Sequence, residues 1–434
     1  MDLLHRGPEF LMDLQRGAGD VASLRVGLRR ICVVSHPEYV RHVLQKNHRN
    51  YLKVDRVHLM MKEFLGEGLL TISDHEKWLH KRRTVQPCFT KEALNGHVST
   101  IAEESLRWVE RMERLPDDET IRPLEQELTV LAMDIAGNAL FGGDMSMHAE
   151  ALQRNLDVAT EEITRRMQGG LPVPRFLPTR RNARLREAQA TGETVVRSLI
   201  EARTHGSTKG SEDLLSAILN ATDPDTGEVL EPDALVDDAL TLLAASHHTT
   251  RYALCWAVYL LAKNREWQDE VRREIESVVP DGRVATHHIE EMTLLQAIVK
   301  ESLRLFPPAW VTPRAAIADD EVGGFQIKAG QEVFVSAYVT HRHPEFWKVP
   351  EGFDPTRFDR REENELFRYT YFPFGAGPRI CIGRELAFLV MTTVLAVALP
   401  RLSLEPLMKG RAEFETRIGL APIGGMPTRI VPRN

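Results

Sequence analysis

The chain has 434 residues, 43% of them hydrophobic, and a formal net charge of -7 with acidic and basic residues interspersed. That is ample apolar material for a large core without disulfide or metal staples, and the lack of any long basic block excludes a nucleic-acid footprint. Four dispersed cysteines, Cys32, Cys88, Cys255 and Cys381, form no CxxC pair and no secreted-type framework, which fits a reducing, cytoplasmic setting.

Met1 to Pro8 has neither a basic head with an apolar run nor a small-residue cleavage site, so secretion is not expected. Residues 23–35 read as a β-hairpin turning near Gly27. Helical periodicity then dominates from 36 to about 310, broken by Gly/Pro clusters at 66–68, 169–178 and 223–227. One helix in this stretch is unusually long. Pro232 stands where a first-turn proline is tolerated, and the pattern runs through Leu235, Ala239, Leu242, Leu243, Ala253 and Leu261 to Asn264. At roughly 1.5 Å per residue, some 31 residues span roughly 46 Å. The helix is apolar except at Ser246-His247-His248-Thr249-Thr250, and a buried polar knot needs partners such as a ligand or ordered water.

A second β-rich region covers about 314–340, with a Lys328-Ala329-Gly330 turn between two extended runs, and is expected to pair with the first hairpin. Tyr252 to Ala262 and Leu386 to Leu399 are apolar but shorter than the roughly 18–20 residues a bilayer requires, so they read as core helices. The expected architecture is one domain over 1–434, mostly α with a small β-sheet region, its helical body at about 36–310 and 384–400.

The strongest chemical signal is Phe374-Gly375-Ala376-Gly377-Pro378-Arg379-Ile380-Cys381-Ile382-Gly383, followed at once by an apolar helix. Glycines let the backbone approach a flat ligand closely. Cys381 stands just before a helix N-terminus, where amides and the helix dipole favour a thiolate, and a thiolate can ligate haem iron. An isolated cysteine is usually plain buried core; the surrounding pattern reverses that reading. These ten residues resemble the cysteine-loop signature of the cytochrome P-450 superfamily, and the resemblance extends over nearly the whole chain.

The resemblance implies the cytochrome P-450 fold, with haem b held between the long central helix and the cysteine-loop helix, Cys381 as the metal ligand, and Phe374 and Gly383 beside the cofactor. Glu301-Ser302-Leu303-Arg304 puts an acid and a guanidinium on one helical face. It resembles the family's E-x-x-R element, and Phe353 to Phe358 resembles the segment that adds a further arginine, so Glu301, Arg304 and Arg357 are expected to form a buried structural triad. Trp78 and Arg82 resemble the family's W-x-x-x-R helix, and with Arg379 and Arg314 they are expected to seat the haem propionates, for which a planar guanidinium fork is well suited.

On the long helix, Ala245-Ser246-His247-His248-Thr249-Thr250 is similar to the family's A-G-x-(D/E)-T-T. Thr249 aligns with the threonine that assists dioxygen activation and proton delivery. Ser246 replaces the usual glycine and His248 the usual acid; an imidazole titrates near neutrality and can relay protons in the acid's place. The competing readings are a ring turned into the core and a distal site tuned for other chemistry.

By the same resemblance the substrate pocket is lined by Met60, Met61, Leu243, Ala244, His247, Trp310, Val311 and Ile418, under a Gly/Pro loop at 169–179 that opens over it. Lys77, Lys81 and Arg83 are expected to form a basic docking patch. The function implied is a haem-thiolate monooxygenase of secondary metabolism that uses dioxygen to oxidise a small apolar molecule (terpenoid, polyketide or fatty-acyl-like). A separate ferredoxin or flavodoxin-type electron donor, a monomeric state, a cytoplasmic setting and no membrane span go with it. The alternatives are a peroxide-using, rearrangement or coupling enzyme and, more remotely, a haem sensor.

Overall fold

Pro232 opens a 32-residue helix that closes at Lys263, within a residue of the bounds expected from the periodicity. Its second half is buried all round: Tyr252, Leu254, Cys255, Trp256, Ala257 and Leu261 are each at or below 1% exposure. Around it pack the helices Leu124–Ile135, Arg180–Thr204, Thr293–Leu305 and Arg384–Arg401. Each buried Val, Leu or Ile here contributes roughly 1.5–3 kcal/mol relative to exposure, and this one apolar cluster extends from Val85 to Ile430. The computed structural model describes residues 2–27, 29–116, 120–142, 149–167, 173–174, 176–204, 213–358, 367–408, 410 and 413–433. Among them no helix is long and apolar enough to cross a membrane.

Short strands lie beside the helical body. β1 (Val21–Val26), β2 (Arg29–Val34), β3 (Tyr51–Leu52), β5 (Thr312–Ala316) and β8 (Glu332–Val335) form a sheet in the order β1-β2-β8-β5-β3. β4 (Ile121–Pro123) joins β12 (Pro427–Pro432) and β9 (Leu402–Pro406); β6 (Asp320–Val322) pairs with β7 (Phe325–Ile327), and β10 (Phe414–Thr416) with β11 (Leu420–Pro422). The expected union of the two β-rich regions is present: β2 and β8 run parallel, Ile31 opposite Glu332 and Val34 opposite Val335.

Three features go beyond or against the sequence reading. The Lys328–Gly330 turn exists, with Gln331 N–H donating to Lys328 O, but the runs it joins do not pair with each other. β8 already has β2 on one edge and β5 on the other, so β7 turns back onto β6. The stretch from 36 to 310 is interrupted by β3 and β4, too short to carry a periodicity of their own. Asp2–Ala18 forms a helix, kinked at Gly7, where φ is 42° just before Pro8; its first four side chains lie outside the described residues.

Two features fix the frame around the site. Glu301 and Arg304, both 0% exposed, form a two-point ion pair at 2.7 and 2.8 Å. Arg357 approaches Glu301 at 3.4 Å, and Arg304 also donates to the carbonyls of His341, Pro350 and Gly352. The second is a staple between the Gly66–Leu69 loop and the long helix: Asp237 accepts from Glu67 N–H and Asp238 from Leu69 N–H, each at 2.7 Å. A β-carbon on Gly66 would overlap the Asp237 carboxylate, so only glycine permits this approach.

Candidate active site

A cavity of about 810 Å³ lies between the cysteine loop and the middle of the long helix. Phe374, Gly375, Ala376, Arg379 to Gly383, Leu386 and Ala387 form one wall; Leu242, Ala244, Ala245, Ser246, His248 and Thr249 form another. The loop's shape follows from its sequence. Gly377 sits at φ +70°, and any β-carbon there would collide with the carbonyl of Leu44. Gly375 sits at φ +74° and Gly383 begins the helix at φ -86°; a β-carbon on either would meet no protein atom, so both leave open space in the cavity wall.

Cys381 is enclosed by protein yet open to the cavity, while Cys32, Cys88 and Cys255 lie outside it. Its own N–H donates to Phe374 O at 2.9 Å, holding the turn. Burial raises the thiol above its ordinary value, against the Gly383 amide and the charges of Arg82, Lys53 and Arg384, which lower it. The helix N-terminus expected to favour a thiolate is therefore outweighed by desolvation in the protein alone.

One side of the cavity collects positive charge. Arg82 donates to Ile380 O at 2.9 Å, Arg379 to Ile72 O at 3.0 Å, Arg314 to Pro313 O at 2.8 Å and Lys53 to Leu70 O at 3.1 Å. Arg379 also stacks over the Trp78 ring at 4.1 Å. These four cations form no salt bridge among the described residues, although all line the cavity. Burial pushes Arg314 down to about 10 and Arg379 to about 9, and it lowers Lys53 and Arg82 as well. Charges held this way need anions. An apolar slot with a thiol in its floor and four cations without an ion pair at its rim fits a flat, iron-bearing dicarboxylate such as haem b.

The sequence model of the family "Cytochrome P450" matches residues 4–425. The chain belongs to the cytochrome P450 family. Curated relatives of this P450 include cyclooctatin synthase of Streptomyces melanosporofaciens, 31% identical over 99% of this chain and 92% of that protein. Another is cyclooctat-9-en-7-ol 5-monooxygenase of the same organism, 32% identical over 94% of this chain and 87% of its own. A cytokinin hydroxylase of Arabidopsis thaliana is 30% identical over 79% of this chain and 67% of its own. The protein is a haem b monooxygenase, and substrate, dioxygen and a source of electrons come with the family.

Within this P450 the expected residues mostly converge. Trp78, Arg82, Arg314, Phe374, Arg379, Cys381 and Gly383 line the cavity, as do Met60, Met61, Ala244, Trp310, Val311 and Ile418. Thr249 donates to Ala245 O at 2.8 Å, leaving its lone pairs to accept from a partner, and Ser246 donates to Leu243 O at 3.0 Å. His248 lines the cavity but its Nε2 is joined to Thr160 Oγ1 at 2.9 Å, on the helix Ala149–Met167, and its ring lies beside that of Tyr252.

Several assignments are corrected. Leu243 is buried in the main core at 1% exposure and does not line the cavity; Leu242, about 100° round the helix, does. Lys81 is no docking residue, because it is 6% exposed and bonded to Asp238 at 2.8 Å. Arg83 is matched by Asp223 and Asp225, each at 2.8 Å, so Lys77 alone of the three is an exposed cation without an ion pair among the described residues. The His247 side chain and residues 169–172 and 175 of the 169–179 loop lie outside the described residues.

Sequence reasoning missed Lys53, Asp55, His58 and Thr160. None belongs to a motif, and a lone lysine after Tyr51-Leu52 carries no signal of burial. Only the fold brings them to the cavity or behind its wall.

Proposed function

We propose that this P450 binds haem b through Cys381 and oxidises an apolar, terpenoid-type substrate with dioxygen. The carrying observation is that one mostly apolar cavity holds the Cys381 thiol in one wall and Thr249 in another. The substrate class is supported by the apolar lining and by relatives whose names are cyclooctatin synthase and cyclooctat-9-en-7-ol 5-monooxygenase. Electrons come from a separate ferredoxin- or flavodoxin-type donor. Four unpaired cysteines support work in a reducing compartment, the cytoplasm.

When bound, haem b supplies the dioxygen-activating chemistry that no side chain can. Cys381 would hold the iron, and a metal cation at its sulfur would favour the thiolate over the thiol that burial otherwise favours. Lys53, Arg82, Arg314 and Arg379 would take the two propionates, with Trp78 bracing Arg379. Thr249, with its hydrogen committed to Ala245 O, accepts a hydrogen bond on the cavity side and so holds in place the protonated oxygen or water that donates it. His248, anchored by Thr160 and lining the same cavity, is the titratable group this reading assigns to proton supply.

In a reconstituted assay with ferredoxin, ferredoxin reductase and NADPH, labelled dioxygen is expected to place one labelled atom in the product of a terpenoid substrate. Unlabelled product, or full turnover on peroxide without reductant, would falsify this reading. His248→Ala is expected to keep reductant consumption but to lower product per reductant by roughly tenfold or more; unchanged coupling removes His248 from the relay. For Arg314→Leu two opposite signs are expected. The haem-free protein gains stability because a buried charge without an ion pair is gone, while haem affinity falls roughly 10–100-fold because the propionate has one charge-assisted hydrogen bond fewer. Thermal unfolding and haem-transfer rates give the two numbers separately.

A further inference from the structure

Among the buried polar pairs at the cavity that the mechanism above leaves unused is Asp55 with His58. Asp55 caps the helix Arg56–Leu65, its Oδ1 accepting from Val57 N–H and His58 N–H at 3.0 and 3.2 Å. Its other oxygen meets His58 Nδ1 at 2.6 Å. Asp55 is 2% exposed and His58 is 7% exposed, so the pair is built into the wall. His58 lines the cavity among apolar neighbours, including Met60 and Phe64 of the same helix.

The chemistry of the ring follows from its partner. Burial raises Asp55, but the hydrogen bonds from His58 more than offset this and leave its carboxyl below the ordinary value. An ionised carboxylate can only accept, so the proton sits on Nδ1. Burial above all, with Lys53 and Arg314 adding repulsion, outweighs Asp55 and pushes the imidazole down to about 4. The ring is therefore neutral near pH 7, and Nε2 is a bare acceptor. No protein donor reaches Nε2 among the described hydrogen bonds.

We propose that His58 is a specificity-determining residue whose Nε2 accepts a hydrogen bond from a hydroxyl group on an otherwise apolar substrate. The proposal rests on the substrate reading above and narrows it to alcohols. A haem propionate, itself an acceptor, does not suit a bare acceptor. A substrate ammonium is repelled by Lys53 and Arg314. A neutral hydroxyl satisfies the ring, and the remaining skeleton meets Met60, Met61 and Ile418.

The test is optical titration of the haem-loaded protein with menthol, cedrol and farnesol, each paired with its methyl ether, reading the spin-state shift. The wild-type protein is expected to bind at least one alcohol about tenfold tighter than its ether, the effect of one hydrogen bond to a buried acceptor. His58→Leu brings that ratio to about one while leaving ether binding and the carbon-monoxide spectrum intact, and His58→Gln restores part of it through its amide oxygen. Asp55→Asn is the sharper probe. Its amide keeps the helix cap but donates to Nδ1, moving the ring proton to Nε2 and shifting preference towards the ether, which a purely structural role would not do. Equal affinities for every pair in the wild type, or an undiminished ratio in His58→Leu, overturns the assignment to His58 alone. If none of the six ligands shifts the spectrum, the terpenoid reading falls together with it.

Discussion

Cys381→Ser is expected to abolish the thiolate-type Soret band of the reduced, carbon-monoxide-bound protein and to lower turnover on the order of a thousandfold or more. Outer-sphere partners of a metal ligand alone typically cost roughly 10–100-fold, and here the ligand and its electron push are lost together. No other cysteine can take over. Cys32 and Cys255 are buried elsewhere, with burial raising both thiols, and Cys88 lies outside the cavity. The loop itself should survive, because the turn is held by the Cys381 backbone N–H and by the glycines, none of which the substitution touches. A thiolate-type spectrum retained in Cys381→Ser would refute the ligand assignment outright.

The second large effect concerns stability. Glu301→Ala is expected to cost about 3–5 kcal/mol, because it strands the Arg304 guanidinium as an uncompensated charge at zero exposure. It also removes the acceptor of Asp354 N–H and the anion facing Arg357. Adding Arg304→Met should recover only part of the loss. The carbonyls of His341, Pro350 and Gly352 all take their hydrogen bonds from Arg304, and a buried acceptor left unmatched costs about 1–3 kcal/mol each. Urea unfolding of the two variants measures both steps; a Glu301→Ala loss below about 1 kcal/mol would show that the pair is not what holds this region.

What could be read from the sequence depended on how contiguous the signal was. The cysteine loop is ten consecutive residues, and its glycines report the same close approach the structure shows at Gly377. Glu301 and Arg304 are one helical turn apart, so their pairing follows from geometry. The long helix was legible to within a residue because Pro232 and an apolar pattern frame it. Where the signal was spread over separate elements it vanished. Arg82, Arg314 and Arg379 were brought together only by the family resemblance, and only the fold adds Lys53 and shows the four sharing a wall with no ion pair among the described residues. His58 and Thr160 look like ordinary helical residues. Lys81 failed for the reverse reason: a lysine on a charged helix reads as solvated, whereas Asp238 on the long helix draws it inward. The choice of Leu243 over Leu242 was an error of one position, which on a helix is the difference between cavity and core. The strands of the C-terminal region are three to six residues long and carry Pro406, Pro422, Pro427 and Pro432, too short and too interrupted for alternation to register.

Four like charges in one wall, none of them joined to an acid among the described residues, bear on more than haem binding. The empty chain carries mutual repulsion and desolvation that two carboxylates relieve, so by linkage its stability rises with the supply of cofactor. In a cell short of haem, more copies would visit unfolded states and meet proteases there. The amount of enzyme would then follow haem availability with no dedicated regulator: the binding site would itself act as the abundance control.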